Sequence, residues 1–166
     1  MEHRSDAPTM AALPTARLAA LGMALPKPPG ALGSYLPWSR YGNLVTTSFQ
    51  LPFKDGVLRY KGLLGEALAT EDGRAAARLC ALNGLAQLAD AAGSLDGFRL
   101  IRLDGHVGCT AEYDRIPEVL NAASELLTEI LGERGLHART ALGHHVMPLN
   151  APVMLGFFAE LLPANT

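Results

Sequence analysis

The side chains best placed to do chemistry stand between Leu136 and Phe158, where a single arginine sits among small residues. A strand from about Arg139 to Val146 puts Arg139, Ala141, Gly143 and His145 on one side of the pleat, with Thr140, Leu142, His144 and Val146 on the other. A guanidinium flanked by Ala and Gly rather than by carboxylates has donors to offer and room for a planar anion to lie against them. That arrangement is a candidate carboxylate site. An arginine paired with a distant glutamate fits the same spacing, and spacing alone does not separate the two. His144 and His145 are adjacent, so a strand points them to opposite faces and they make a poor metal pair.

The remaining elements must position that strand. Met1 to Met10 is polar and expected to fray. Leu18, Leu21 and Leu25 at helical spacing predict an appended helix from Thr15 as N-cap to near Gly22, and Pro26-Lys-Pro-Pro-Gly30 an extended linker. Asn43 to Leu51 and Val57 to Lys61 read as strands of one hairpin closed by Asp55-Gly56. A helix follows Thr70-Glu-Asp-Gly73 and runs to about Ala92, with Ala75, Leu79, Leu82, Ala86 and Ala89 on its apolar stripe. Phe98 to Val107 reads as a strand with a bend at Asp104-Gly105. The clearest periodicity belongs to the next helix, where Ile116, Val119, Leu120, Ala123, Leu127, Ile130 and Leu131 share one face and Pro117 lies in the first turn. After it come the Arg139 strand, a Pro-containing turn and a last strand.

The order strand, strand, helix, strand, helix, strand, strand argues an α+β layer with two helices on one face of a mixed sheet. The uncovered face carries Phe, Leu and Val, and a homo-oligomer is the economical way to bury it. Domain boundaries follow: residues 1–29 form a tail, helix and Pro-rich linker, and residues 30–166 a single α+β domain.

Composition excludes several classes. The chain has 166 residues, 49% hydrophobic, enough for one core and short for two. Its 14 basic residues are scattered and its net charge is −2, so the basic stripe of a nucleic-acid binder is missing. Cys80 and Cys109 lack any paired spacing, which suits a reducing compartment. No signal peptide or membrane span is expected, and the protein reads as cytoplasmic without metal or cofactor. Gly62 and Gly65 lack the context of a phosphate loop. His106 and Cys109, three apart on one strand, face opposite ways.

Five stretches carry a resemblance: Ala31-Leu-Gly-Ser-Tyr35, Val45-Thr-Thr-Ser-Phe-Gln-Leu-Pro52, Ala76-Ala-Arg-Leu-Cys-Ala-Leu-Asn83, Val119-Leu-Asn121, and His137-Ala-Arg-Thr-Ala-Leu-Gly143 with Met147-Pro148. Jointly, over roughly residues 30 to 162, they resemble the RidA (YjgF) family, in a longer subgroup with an extra N-terminal helix. The resemblance implies a chorismate-mutase-like fold, a homotrimer with pockets at the clefts between subunits, and hydrolysis of reactive enamine or imine intermediates to 2-keto acids and ammonia. It also implies substrate-binding roles: Arg139 as the carboxylate anchor, Tyr35 as the pocket tyrosine, Ser48 as the serine of a Ser-Gly-Gln pattern and Asn121 as the helix asparagine.

The chain departs from that pattern where chemistry is expected. The glutamate that active members use to position water aligns with Gly156, the often acidic neighbouring position with Met154, the pattern's glycine with Phe49, and a cysteine after the arginine with Ala141. Imine hydrolysis needs a bound acid, a polarised C=N and a water with an acceptor beside it, and here the first is supplied. His145, on the Arg139 side of the pleat, is the candidate stand-in base, and Phe49 is expected to reshape the pocket. A ligand-binding protein without catalysis, or a trimeric scaffold with a vestigial pocket, are the alternatives.

Overall fold

The computed structural model describes residues 12–163; the polar stretch Met1 to Met10 lies outside them. Among the described residues the strands and α-helices run in the order α1 (Pro14–Ala20), β1 (Trp38–Tyr41), β2 (Leu44–Thr47), β3 (Phe53–Lys54), β4 (Val57–Leu58), α2 (Thr70–Ala92), β5 (Phe98–Gly108), α3 (Ile116–Leu131), β6 (Ala138–His144) and β7 (Val153–Leu161). Among the described residues, five strands form a mixed sheet in the order β1-β2-β7-β5-β6. β6 runs parallel to β5, and the other pairings are antiparallel. β6 and β7 are therefore not neighbours but flank β5.

Helices α2 and α3 cover one face, as expected from their periodicity. Register places Val45, Thr47, Leu155, Phe157, Ala159, Leu103, Gly105 and Val107 beneath them. Phe157 and Leu155 are fully buried, and burial of such side chains stabilises by about 1.5–3 kcal/mol each. Close approach is written into two glycines: a Cβ at Gly84 of α2 would lie 2.1 Å from the Phe157 ring, and one at Gly105 would lie 2.5 Å from Leu120 of α3. Those contacts fix how deep each helix sits.

Several expectations need correction. β2 does not pair with the segment 57–61; it pairs with β1 and β7, because Pro52 has no N–H to continue a ladder and turns the chain away. Asp55-Gly56 closes only the two-residue hairpin β3-β4, both residues having positive φ (54° and 74°). The irregularity in β5 falls between Leu100 and Arg102, not at Asp104-Gly105. On α2 the buried residues include Gly73, Ala76, Ala77, Cys80, Ala81, Gly84, Leu85 and Leu88 together with Ala86 of the expected stripe, while Ala75, Leu79, Leu82 and Ala89 of that stripe stay half-buried. A helix so rich in alanine gives periodicity little contrast to work with.

α1 begins with Pro14 at its first turn and Leu13 as N-cap; Thr15 does not cap it but donates its N–H to Asp96 Oδ1 at 2.8 Å. The helix is docked rather than free, since Leu18 is buried in the core and Arg17 Nε donates to the Glu129 carbonyl of α3 at 2.9 Å. The extended linker is pinned by the buried Gln87, whose Nε2 donates to the Pro29 carbonyl at 2.6 Å. Gln87→Ala is expected to cost about 1 kcal/mol and to speed amide exchange selectively in residues 24–31, read by hydrogen-exchange mass spectrometry. Unchanged exchange there would contradict the pinning role.

The opposite face of the sheet is open. It presents Tyr41, Leu44, Leu142 and Phe158 with substantial exposure, beside Arg102, Asp104, His106 and His144. No described helix is long and apolar enough to cross a membrane. Among the described residues, no cluster of three or more His, Cys, Asp or Glu could hold a metal ion.

Candidate functional site

Arg139 is the second residue of β6, an edge strand, and pairs in register with buried Leu103. Its side chain therefore lies on the helix-covered side, at the sheet edge against α3. There Nη1 donates to Asn121 Oδ1 at 2.9 Å and to Ser124 Oγ at 3.2 Å. Asn121 and Ser124 are three apart on a helix, so both present to the same point. Ser124 Oγ also meets His137 Nε2 at 3.0 Å, and His137 Nδ1 meets the Gly135 carbonyl at 2.5 Å. No carboxylate pairs with Arg139 among the described residues. Neutral partners hold one end of the guanidinium and leave Nε and Nη2, a side-on fork, for a planar anion.

The other candidates gather elsewhere. Tyr35, Ser48 and Phe49 line a cleft of about 810 Å³ roofed by the proline linker, with Leu79, Leu82 and Asn83 of α2 on its wall. The Ser48 hydroxyl donates to the Leu36 carbonyl at 2.6 Å, which leaves its lone pairs to accept. The Tyr35 hydroxyl accepts from Leu32 N–H at 3.1 Å, so its proton is available to donate. Three strand spacings separate β2 from β6, about 14 Å. One chain thus carries two half-sites, Arg139 with Asn121 and Tyr35 with Ser48 and Phe49, that do not meet.

His145 lies past the end of β6, exposed, six residues from Arg139 and so about 20 Å along an extended chain. The structure does not bring it to the anchor within one chain. Phe49 and Gly156 come together instead: a Cβ on Gly156 would lie 3.0 Å, 3.1 Å and 3.2 Å from three atoms of the Phe49 ring. The ring fills the space above the glycine where a longer side chain would rise. It also meets His106 edge-on, with centroids 5.0 Å apart.

His106 and His144 form a pair on the open face that sequence reasoning missed, with Nδ1 of one 2.6 Å from Nε2 of the other and the rings stacked 4.8 Å apart. His106 lies two residues before the end of β5 and His144 at the end of β6, offset by two in the parallel register, so only the strand pairing could have brought them together. Burial first, and then the neighbouring His144 charge, hold His106 below its ordinary value of 6.5, against a smaller opposing pull from Asp104. A group that is harder to protonate folded than unfolded contributes stability above the unfolded value and loses it as pH falls below that value. Thermal melts between about pH 7.5 and about pH 5 are expected to show Tm falling with acid, less steeply in His106→Gln. Equal slopes for the two proteins would contradict the assignment.

Residues 15–161 match the family described as "YjgF/chorismate_mutase-like, putative endoribonuclease". The chain belongs to the YjgF/RidA family. Among solved structures it is similar to a Shewanella oneidensis MR-1 protein titled "putative endoribonuclease", with 41% identity, 90% of this chain and 100% of that one covered, and a TM-score of 0.87. It is also similar to Atu1372 of Agrobacterium tumefaciens, a protein "with unknown function", with 38% identity, 89% and 92% coverage, and a TM-score of 0.82. Protein TCP17 of Trypanosoma cruzi is 34% identical over 148 residues, 88% of this chain and 92% of its own. The YjgF-type fold is thus shared over most of the chain.

Proposed function

We propose that the protein is a homotrimer that binds a small carboxylate-bearing metabolite at clefts between subunits and hydrolyses reactive enamine or imine intermediates to 2-keto acids and ammonia. The observation that carries this reading is the division of the site: the anchor Arg139 with Asn121 stands at one edge of the sheet, and Tyr35, Ser48 and Phe49 stand across it. The two halves do not meet within one chain, whereas a second chain placing its Tyr35 half against Arg139 would complete one cleft. The exposed apolar side chains of the open face supply the surface for such an assembly.

In this cleft the Arg139 fork takes the α-carboxylate, which sets the neighbouring imine carbon at a fixed distance and orientation. Asn121, whose Oδ1 is committed to Arg139, turns its amide N–H groups toward the ligand. Tyr35 contributes a hydroxyl proton toward the polarised nitrogen or its product. Binding without catalysis is the second reading, and Phe49 packed over Gly156 favours it, because no carboxylate stands where active members place one.

Phosphodiester chemistry has less support. Two arginines of β5 are paired within the chain, Arg99 with Glu160 and Arg102 with Asp104, and a net charge of −2 leaves no basic stripe for a nucleic-acid backbone. Assembly and binding test the proposal together. Light scattering should give a mass of three chains at micromolar concentration, and 2-oxobutyrate should raise Tm. A monomer with no ligand shift would overturn it.

A further inference from the structure

We propose that the cleft beneath the proline linker is a binding site in its own right, built for a neutral ligand with an apolar body and a hydrogen-bond-donating end, a primary carboxamide. It lies within one chain and is separate from the Arg139 fork, so it does not depend on the imine-hydrolysis reading.

Two buried amides define it. Asn83 of α2 is 2% exposed and Gln50 6%. Asn83 Nδ2 donates to the carbonyls of Leu51 at 2.9 Å and Phe53 at 3.0 Å, and Gln50 Nε2 to the Ser48 carbonyl at 2.8 Å. A carbonyl can only accept, so each side chain turns its NH2 end to the backbone and its oxygen the other way. Among the described residues no donor reaches Asn83 Oδ1 or Gln50 Oε1, yet no fully buried side-chain oxygen is left without a partner. Both oxygens therefore keep accessible surface, and the opening that both residues border is the cleft. Their anchors, Ser48, Leu51 and Phe53, belong to one short stretch, so the two acceptors share one patch of wall. A buried amide whose oxygen opens only to a cavity is an acceptor held ready for a ligand's donor.

The surroundings narrow the ligand. Met23, Pro28, Leu51, Phe53, Leu79 and Leu82 give the cleft an apolar lining, and its volume of about 810 Å³ suits a small molecule. Pro26, Pro28 and Pro29 have no N–H, so the roof adds no backbone donor at those positions. The rim carries Lys27 and Lys54, both exposed, and Asp55, which Arg59 meets at 3.5 Å. A carboxylate entering this cleft would set its lone pairs against the two amide oxygens. An ammonium would leave water for an apolar lining beneath two lysines. A hydroxyl has one proton to give, whereas a carboxamide nitrogen is neutral and has two, one for each oxygen.

The test uses methyl-labelled full-length protein and three probes of one length, hexanamide, hexanoate and hexylamine, each titrated to about 20 mM. Hexanamide should bind saturably and shift the methyl resonances of Met23, Leu79 and Leu82. The acid and the amine should bind there roughly tenfold more weakly, because one leaves buried acceptors unpaired and the other desolvates a charge. Leu82→Trp, which fills the cleft and keeps both amides, should abolish the hexanamide shifts. Gln50→Leu should weaken hexanamide several-fold and narrow its margin over hexanoate. Equal binding of the three probes, no shift at these methyls, or hexanamide shifts that survive Leu82→Trp would each overturn the site. The probe series is read on the wild type, so it decides the matter even where a variant fails to fold.

Discussion

Gly156→Glu is expected to destabilise the protein by about 1–3 kcal/mol, although it installs a residue that active family members carry at this place. Its Cβ alone would approach three Phe49 ring atoms at 3.0–3.2 Å, and the rest of the side chain would force a carboxylate against an aromatic face. Phe49 is exposed but rests edge-on against His106, so swinging away costs it that contact. Phe49→Gly removes the obstacle and widens the cleft. Chemical denaturation of both single variants and the double variant should therefore show positive coupling, the double being more stable than the sum of the singles predicts. The double variant should also deaminate faster than wild type. A neutral Gly156→Glu, or strictly additive effects, would mean that the two positions do not constrain each other.

Arg139→Ala should weaken binding of a 2-keto acid by ten- to a hundredfold, about 1.5–3 kcal/mol, while the ligand-free protein keeps its Tm. The two halves of that expectation have different sources. Affinity falls because a charge-assisted fork is lost, and Arg139→Lys should fall nearly as far because an ammonium cannot make two parallel bonds. Stability holds because the partners released are a neutral amide and a hydroxyl, with no carboxylate left unpaired. Calorimetric titration with 2-oxobutyrate beside ligand-free melts reads both. A lower ligand-free Tm with unchanged affinity would return Arg139 to a structural role.

How far the sequence could be read differs by element, and the physical reasons are visible in the fold. α3 was legible because its stripe of Val119, Leu120, Ala123, Leu127 and Ile130 has strong contrast, and all five are buried. α2 was found but its face was misplaced, since alanines on every side blur the pattern. β1 left no signal at all: four residues, three of them exposed, carry no alternation, and what holds the strand is pairing to β2 and the Trp38 bond to Asp90 at 2.9 Å. At the site, strand alternation put Arg139 and His145 on one side of the pleat but not the distance between them. Ser124 and His137 belong to different elements, and only the packing of α3 on β6 brings them to 3.0 Å. The spacings Asn121 to Ser124 and His137 to Arg139 could have suggested a shared corner once both elements were assigned.

Purified protein at micromolar concentration is added to an enamine formed continuously by an amino-acid oxidase, and loss of the intermediate is followed against buffer alone. The proposed function predicts a loss that rises in proportion to protein concentration, yields 2-keto acid and ammonium in equal amounts, and disappears in Arg139→Ala. Loss at the buffer rate at every protein concentration would contradict it and leave a carboxylate-binding protein in its place.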